Sequence, residues 1–471
     1  MTRIPTWRRI GVMLFAFSLL AAGCRAENDT SSGGSESPDA SEEETSEEPS
    51  ATEEETTEAT EEDTAAAAGD AEFDIGVTEE PCPEPVNEDN GCIYLGTISD
   101  LTQGPFAALG QSIVESQAAF WRTVNEEGGI GGFDIDVTTY VRDSFYIPER
   151  HNQVYLEIKP NVLAIAQTLG SPGTAAILPD LKAEGIVAAP ATWSSAWAFE
   201  PGIVESGNNY CIESMNSIDY ALENFDPAPA KVMAVHYPGE YGEDGAAGAR
   251  IGAEANGLEF VDVETPTGAD NQAGAIDALV SQQPDLVIIT TGPAENAAIV
   301  GQAAAQGFTG KVIGTSPTWN PGLNESPAAQ ALQTLYLQSS PWATYATDTP
   351  GHQALRDAIG REDGDDGLTS GWVWSYPLRD ALTAAAEAGD LTRAGLLEAA
   401  SNLEEVDYQG MLPEGSGNYA AEPNEGAVRG TLFQMPDPDS STGVSLVTEE
   451  FFTGPTAESY ELTEPCFLAA R

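Results

Sequence analysis

The sequence predicts an α/β protein built as two Rossmann-like lobes behind a long acidic leader. Three observations lead there. Short β-rich runs alternate with stretches of helical periodicity, that alternation pauses after residue 189 and restarts at 231, and residues 26–72 hold almost no large apolar side chain. The length of 471 residues allows two or three domains, and an apolar content of 41% is enough for a real core. Asp and Glu number 76 against 18 Lys and Arg, a formal charge of −58. That balance excludes a nucleic-acid partner, which needs a basic footprint, and gives no electrostatic attraction to an anionic lipid surface.

The N-terminus reads as an address. Arg3, Arg8 and Arg9 precede an apolar run at 10–22, followed by Gly23 and Cys24. A basic start, a short apolar stretch and small residues describe a secretory signal peptide over 1–23, too short to span a membrane comfortably. Ala-Ala-Gly before Cys24 resembles the lipobox of bacterial lipoproteins, which implies lipidation at Cys24; the alternative is an ordinary signal with an incidental cysteine. From Ala26 to Glu80 there are 21 acidic residues and no basic one. This stretch cannot fold alone, and residues 24–80 are predicted to be a disordered tether reaching at least ~40 Å.

Four further cysteines, Cys82, Cys92, Cys211 and Cys466, suit an oxidising compartment. Cys82 and Cys92 bracket a short polar stretch and are expected to pair, leaving Cys211 to hold Cys466; two other connectivities stay open.

In the first lobe the sequence predicts strands at 93–98, 135–141, 162–167 and 185–189. Between them lie a long helix carrying Leu109, Ile113, Gln117, Trp121 and Val124 at helical spacing, a helix at 148–158 and another near 174–183. The second series has strands at 231–236, 259–264, 286–290 and 312–314, with helices at 244–255, 271–282 and 294–306. Strands separated by such helices imply βαβ units and parallel sheets, and ligands of such sheets bind beyond the strands' carboxyl ends. Helices at 351–359, 372–388 and 392–402 follow, then β-prone sequence at 428–433 and 444–452.

Local motifs sharpen this picture: Thr102-Gln-Gly-Pro105 with Gly110, Val124-Asn-Glu-Glu-Gly-Gly-Ile-Gly-Gly132, Leu169-Gly-Ser-Pro-Gly-Thr174, Glu184-Gly-Ile186, Ala189-Pro-Ala-Thr192 and Tyr237-Pro-Gly-Glu-Tyr-Gly-Glu-Asp-Gly245. In this order, over roughly residues 91–435, the chain resembles the type I periplasmic binding proteins, the leucine/isoleucine/valine-binding family that feeds ABC transporters. The resemblance implies two lobes, 81–212 with 339–410 and 213–338 with 411–471. It also implies three hinge crossings, near 209–217, 336–345 and 408–415, and a central cleft. A small amino-acid- or amide-like solute would be bound there and handed to a permease by a monomer without cofactor. Ser171 and Thr192 fall on the family's ligand-binding hydroxyls, and Tyr241 on the aromatic that closes from the second lobe. Plain helix capping is the alternative for Ser171, and turn packing for Tyr241. Leu109 and Gly170 would line the first lobe. Ser316 stands where many members carry the Glu that holds the ligand's ammonium. Trp319, three residues on, could stack on the ligand or be a core or surface Trp.

Catalytic and metal motifs are thin. His151, His236 and His352 lie far apart without zinc spacing, no Gly-x-Ser-x-Gly occurs, and Asp363-Gly-Asp-Asp-Gly367 lacks the ligand spacing of an EF-hand. No metal and no enzymatic activity are expected. A ligand sensor on the same fold is the main rival reading, and a secreted α/β hydrolase a weaker one.

Overall fold

The structure, a computed structural model, describes residues 71–469. The signal segment, Cys24 and the acidic run to residue 70 lie outside the described residues.

Strand Gly91–Ser99 is the spine of the first sheet. Ile93, Leu95 and Ile98 are fully buried, each contributing ~2 kcal/mol by leaving water. One edge of this strand pairs in parallel with Phe133–Asp143 along its length. The other edge is shared: Val77–Thr78 runs antiparallel to its start, and Ala164–Leu169 parallel to its end, with Ala188–Ala191 beyond. The folded body therefore begins before residue 81, which corrects the predicted tether boundary. Glu72–Phe73 pairs with Asp390–Leu391, and the Phe73 ring stands edge-on to Phe133 at 5.8 Å. Phe73, Ile75 and Val77 form a short apolar alternation that the acidic residues around it obscure.

The second sheet has seven strands in the order Val444–Leu446, Leu432–Pro436, Tyr336–Ser340, Lys311–Gly314, Leu286–Thr290, Lys231–His236, Glu259–Glu264. The five from Tyr336–Ser340 to Glu259–Glu264 are parallel, and the β-prone tail adds an antiparallel pair at one edge. Helix Tyr210–Asn224 is not among the expected helices, because the sequence reading puts a hinge crossing there; it is buried from Tyr210 to Ala221, its polar Glu213, Asn216 and Asp219 included. It packs on helix Glu240–Ala255 at very close range: a Cβ on Gly248 would lie 2.1 Å from the Cys211 carbonyl oxygen. Only glycine permits that approach.

Disulfides join Cys82 to Cys92 and Cys211 to Cys466. The first closes a loop that is clamped as well. Asp134 accepts from the backbone N–H of Val86 and Asn87 and from the side chains of Asn87 and Asn90, all at 2.8–2.9 Å. The second fixes the C-terminal helix Cys466–Ala469 to the first turn of helix Tyr210–Asn224.

The chain passes between the sheets three times. The first passage leads into helix Tyr210–Asn224, whose Tyr210 N still donates to Trp193 O of the first lobe at 2.8 Å. The second follows Ser340, since Trp342 and Tyr345 already belong to the first lobe's core. The third lies beyond the predicted 408–415. Met411 and Leu412 pack in the first core, and Tyr419 and Ala420 both donate to Leu403 O, so the crossing falls between Ala420 and Leu432.

Candidate functional site

Four parallel strands deliver their carboxyl ends to one cleft. Strand Ala164–Leu169 ends at Gly170, whose φ of 94° turns the chain directly into helix Ser171–Glu184. Strand Ala188–Ala191 ends at Thr192. From the second lobe, Lys231–His236 leads through Gly239, φ 87°, into helix Glu240–Ala255, and Lys311–Gly314 leads to the 3-10 turn Ser316–Thr318. The two helix N-termini approach each other across the cleft: a Cβ on Gly239 would sit 3.6 Å from Pro172 Cγ. Neither N-cap is a residue with a capping side chain, so the first amides of both helices keep their partial positive charge for an anion.

Between the lobes lies a small cavity. Its wall is largely aromatic: Phe106, Tyr146, Trp193, Tyr210, Tyr241 and Trp374, with Leu109, Ile113 and Leu169. The rings contact each other, Phe106 with Tyr241 across the cleft at 6.0 Å and Tyr210 with Tyr241 at 4.7 Å. Polar groups are few. Ser171 Oγ and Thr192 Oγ1 form a short hydrogen bond with each other, and Tyr210 OH lies 3.5 Å from Thr192 Oγ1. Ser171 thus uses its hydroxyl on Thr192, and the alternative of a capping hydroxyl is not realised.

Hydrogen bonds close the lobes over this space. Ser316 Oγ donates to Asp366 Oδ2 at 2.8 Å, the first group from the second lobe and the other from helix Asp366–Val373 of the first. Asp366 Oδ1 accepts from Trp342 Nε1 at 2.9 Å. Toward the crossings, Ser195 N donates to Asp244 Oδ2 at 3.0 Å, and Ser195 Oγ to Asp244 Oδ1. Burial pushes the Asp366 carboxyl up to about 6 and that of Asp244 up to about 7, against the pull of their hydroxyl donors. Glu213, behind Ser316, accepts from Ser316 N at 3.3 Å and is pushed by burial up to about 8.

Of the residues singled out in the sequence, Ser171, Thr192, Tyr241, Ser316, Leu109 and Gly170 all line this cavity. Tyr241 presents its ring, because its hydroxyl is held by Thr291 O and Thr315 Oγ1, both at 3.0 Å. Trp319 is elsewhere, which corrects the stacking expectation. It is 2% exposed in the second lobe's core and stacks on Tyr336 with centroids 5.7 Å apart. The 3-10 turn Ser316–Thr318 leads it into the second lobe's core. Asp366, Tyr146, Trp193, Tyr210 and Trp374 escaped the sequence reading. Asp366 ends the acidic loop weighed as a calcium motif; the available signal was Asp365-Asp366 before an apolar helical run, an N-terminus signature. Asp365 does cap that helix, accepting from Leu368 N at 3.2 Å.

The periplasmic binding protein family matches residues 93–437. Among solved structures, the chain is similar to a fatty acid ABC transporter substrate-binding protein from Thermomonospora curvata. Identity is 26%, over 83% of this chain and 97% of that one, with a TM-score of 0.75. A branched-chain amino acid ABC transporter protein from Thermus thermophilus with bound valine shares 18% identity over 78% and 98%, TM-score 0.66. A leucine-binding protein from Thermotoga maritima shares 17% over 76% and 98%, TM-score 0.62. No curated protein matches the sequence. The chain belongs to the periplasmic binding protein family, as a type I substrate-binding protein of the ABC-transporter kind and not an enzyme.

Proposed function

We propose that this protein captures a small organic acid with an apolar body by closure of its two lobes and delivers it to an ABC importer. The observation that carries this reading is the cavity itself: a largely aromatic wall, with two uncapped helix N-termini and the Ser171–Thr192 hydroxyl pair at its polar part. Helix N-terminal amides suit a carboxylate, and the rings suit an aliphatic or aromatic body. The class includes amino acids, which the resemblance of the cleft motifs implies, and also acids without an amine; the Thermomonospora curvata relative is described as a fatty acid ABC transporter substrate-binding protein. Closure follows from where the contacts are. A ligand touching both Ser171 and Tyr241 makes its full set of interactions only in the closed form.

The N-terminal segment makes the protein a lipoprotein in this reading, tethered through Cys24 to the outer face of the cell membrane by the acidic linker and working as a monomer. Among the described residues no helix is long and apolar enough to cross a membrane. Radiolabelled palmitate should enter the wild-type chain in cells and not the Cys24→Ser variant. For binding, the test is a thermal-shift screen of residues 71–471 against short fatty acids, aromatic acids, and branched-chain and aromatic amino acids. A ligand at 100 times its Kd adds ~2.7 kcal/mol, a visible shift. Ser171→Ala should abolish it. Silence across the panel, with no acid recovered from denatured protein purified from its host, would refute the reading.

A further inference from the structure

Resting on the reading that this cavity takes a ligand, we infer that Asp143 is a positioning residue for binding. Its carboxylate ties the loop that carries Phe106 to the turn that carries Tyr146, and so sets part of the first lobe's apolar wall. Asp143 itself is not among the residues that line the cavity.

Strands Gly91–Ser99 and Phe133–Asp143 end side by side, with Ser99 opposite Asp143. The chain leaves the first into the loop 100–106 and the second into the turn 144–147. Asp143 Oδ1 accepts from Leu101 N at 3.1 Å and from Phe145 N at 3.0 Å, and Oδ2 accepts from Thr102 Oγ1 at 2.6 Å. One half-buried side chain thus holds both segments. Asp100, fully buried, completes the loop from within: its oxygens accept from Gly104 N and Phe106 N, each at 2.9 Å. A Cβ on Gly104 would lie 2.2 Å from Asp100 Oδ2, so the glycine makes room for that carboxylate. The motif Thr102-Gln-Gly-Pro105 finds its use here, Thr102 on Asp143 and Gly104 beside Asp100.

The two segments meet at the cavity. Phe106 and Tyr146 both line it, with their rings edge-on at 4.8 Å. The loop also reaches the second lobe: Phe106 lies 6.0 Å from Tyr241, and a Cβ on Gly292 would lie 3.0 Å from Pro105 Cβ. Strain marks the turn. Phe145 and Tyr146 stand at φ 56° and 58°, which L side chains rarely adopt and keep only where their surroundings hold them. Strand Ala164–Leu169 reaches its own helix through Gly170 alone at positive φ. A plain connection needs no such strain and no shared carboxylate; a ring fixed beside the cavity does.

The test is calorimetric titration of the protein with phenylacetate. Asp143→Ala should weaken binding about tenfold, and Thr102→Val, which removes one of the three bonds and keeps the side chain's shape, about threefold. In a Phe106→Leu background the Asp143→Ala loss should shrink to about threefold, because part of what Asp143 positions is gone. Wild-type affinity in both Asp143→Ala and Thr102→Val overturns the inference. A tenfold loss that is the same with and without the Phe106 ring also overturns it, leaving Asp143 a structural role alone. Hydrogen exchange without ligand separates this inference from the acid-capture reading. Asp143→Ala should speed exchange at 101–106 and 144–147 together and leave strand Ala164–Leu169 as in wild type. Exchange unchanged in either segment overturns the tie between them, whether or not phenylacetate binds. Exchange altered as expected, in a protein whose wild type binds no phenylacetate, supports the tie and overturns acid capture.

Discussion

Replacing Gly170 by alanine strikes the cavity through the backbone. Gly170 has φ 94° and ψ 129°, a conformation that L side chains rarely adopt, and holding alanine there costs about 1–3 kcal/mol. The new Cβ would also lie 2.4 Å from Cε2 of Tyr146. That ring has little freedom to retreat: it is packed edge-on against Phe106 at 4.8 Å, and Phe145 and Tyr146 both sit at positive φ, 56° and 58°. Overpacking of this kind adds about 1–3 kcal/mol, so the whole change is expected to destabilise by about 3 kcal/mol. Urea unfolding of wild type and variant measures it, and titration with phenylacetate reads the cavity, whose affinity should fall at least tenfold. Tyr146→Ala in the same chain removes the clash but not the backbone strain, so the Gly170→Ala penalty should shrink to about 1–2 kcal/mol in that background. A Gly170→Ala protein with wild-type stability and affinity would refute the argument that this turn and this ring jointly shape the site.

The other expectations follow from named contacts. Glu213, held near 8 by burial, keeps a proton in the folded state that it releases on unfolding; its contribution is full below pH about 4.5 and is lost as pH rises to about 8. Thermal unfolding should therefore show a stability that falls over that window, and Glu213→Gln should flatten the slope by a few kcal/mol in total. Binding of an anion beside Asp366 favours that group's neutral form, so phenylacetate affinity should drop by up to about tenfold per pH unit above about 6, and Asp366→Asn should remove this dependence up to about pH 8, where the neighbouring Glu213 ionises. Cys211→Ser with Cys466→Ser frees the C-terminal segment from helix Tyr210–Asn224 and should cost about 2–5 kcal/mol in denaturant unfolding without moving ligand affinity by more than about threefold. Trp319→Phe should lower stability by about 1–2 kcal/mol and leave binding unchanged, because the side chain packs on Tyr336 in the core.

What the sequence makes legible depends on how an element is buried. Strands Lys231–His236, Glu259–Glu264 and Leu286–Thr290 match their predicted bounds, since a β-rich run between turn signals announces itself. Helix Tyr210–Asn224 does not, because its polar residues Glu213, Asn216 and Asp219 are buried against distant segments, such as Asn216 on Thr431 and Asp219 on Thr456, and read along the chain as a solvated crossing. The same contrast divides the site. Ser171, Thr192 and Tyr241 follow strands at fixed offsets, so their place could be read along the chain. Asp366 and Trp374 lie about 200 residues from Ser171 in sequence and reach the cavity only because the chain returns to the first lobe after building most of the second, and Tyr146 reaches it through a turn at positive φ that no motif announces. Trp319 shows the converse error: proximity in sequence to Ser316 placed it in the cleft, while the turn at 316–318 sends it into the core.

The central claim is capture by closure, and small-angle X-ray scattering on residues 71–471 tests it most directly. The scattering should be recorded without ligand and with saturating phenylacetate, for wild type and for Ser316→Ala with Asp366→Asn. Ligand is expected to reduce the wild-type radius of gyration to the value calculated from the closed structure, and the double variant, lacking the hydrogen bond between the lobes, to need more ligand for the same change. A radius that stays the same with and without a ligand proven to bind would contradict the account, leaving a rigid cavity in place of two lobes that close.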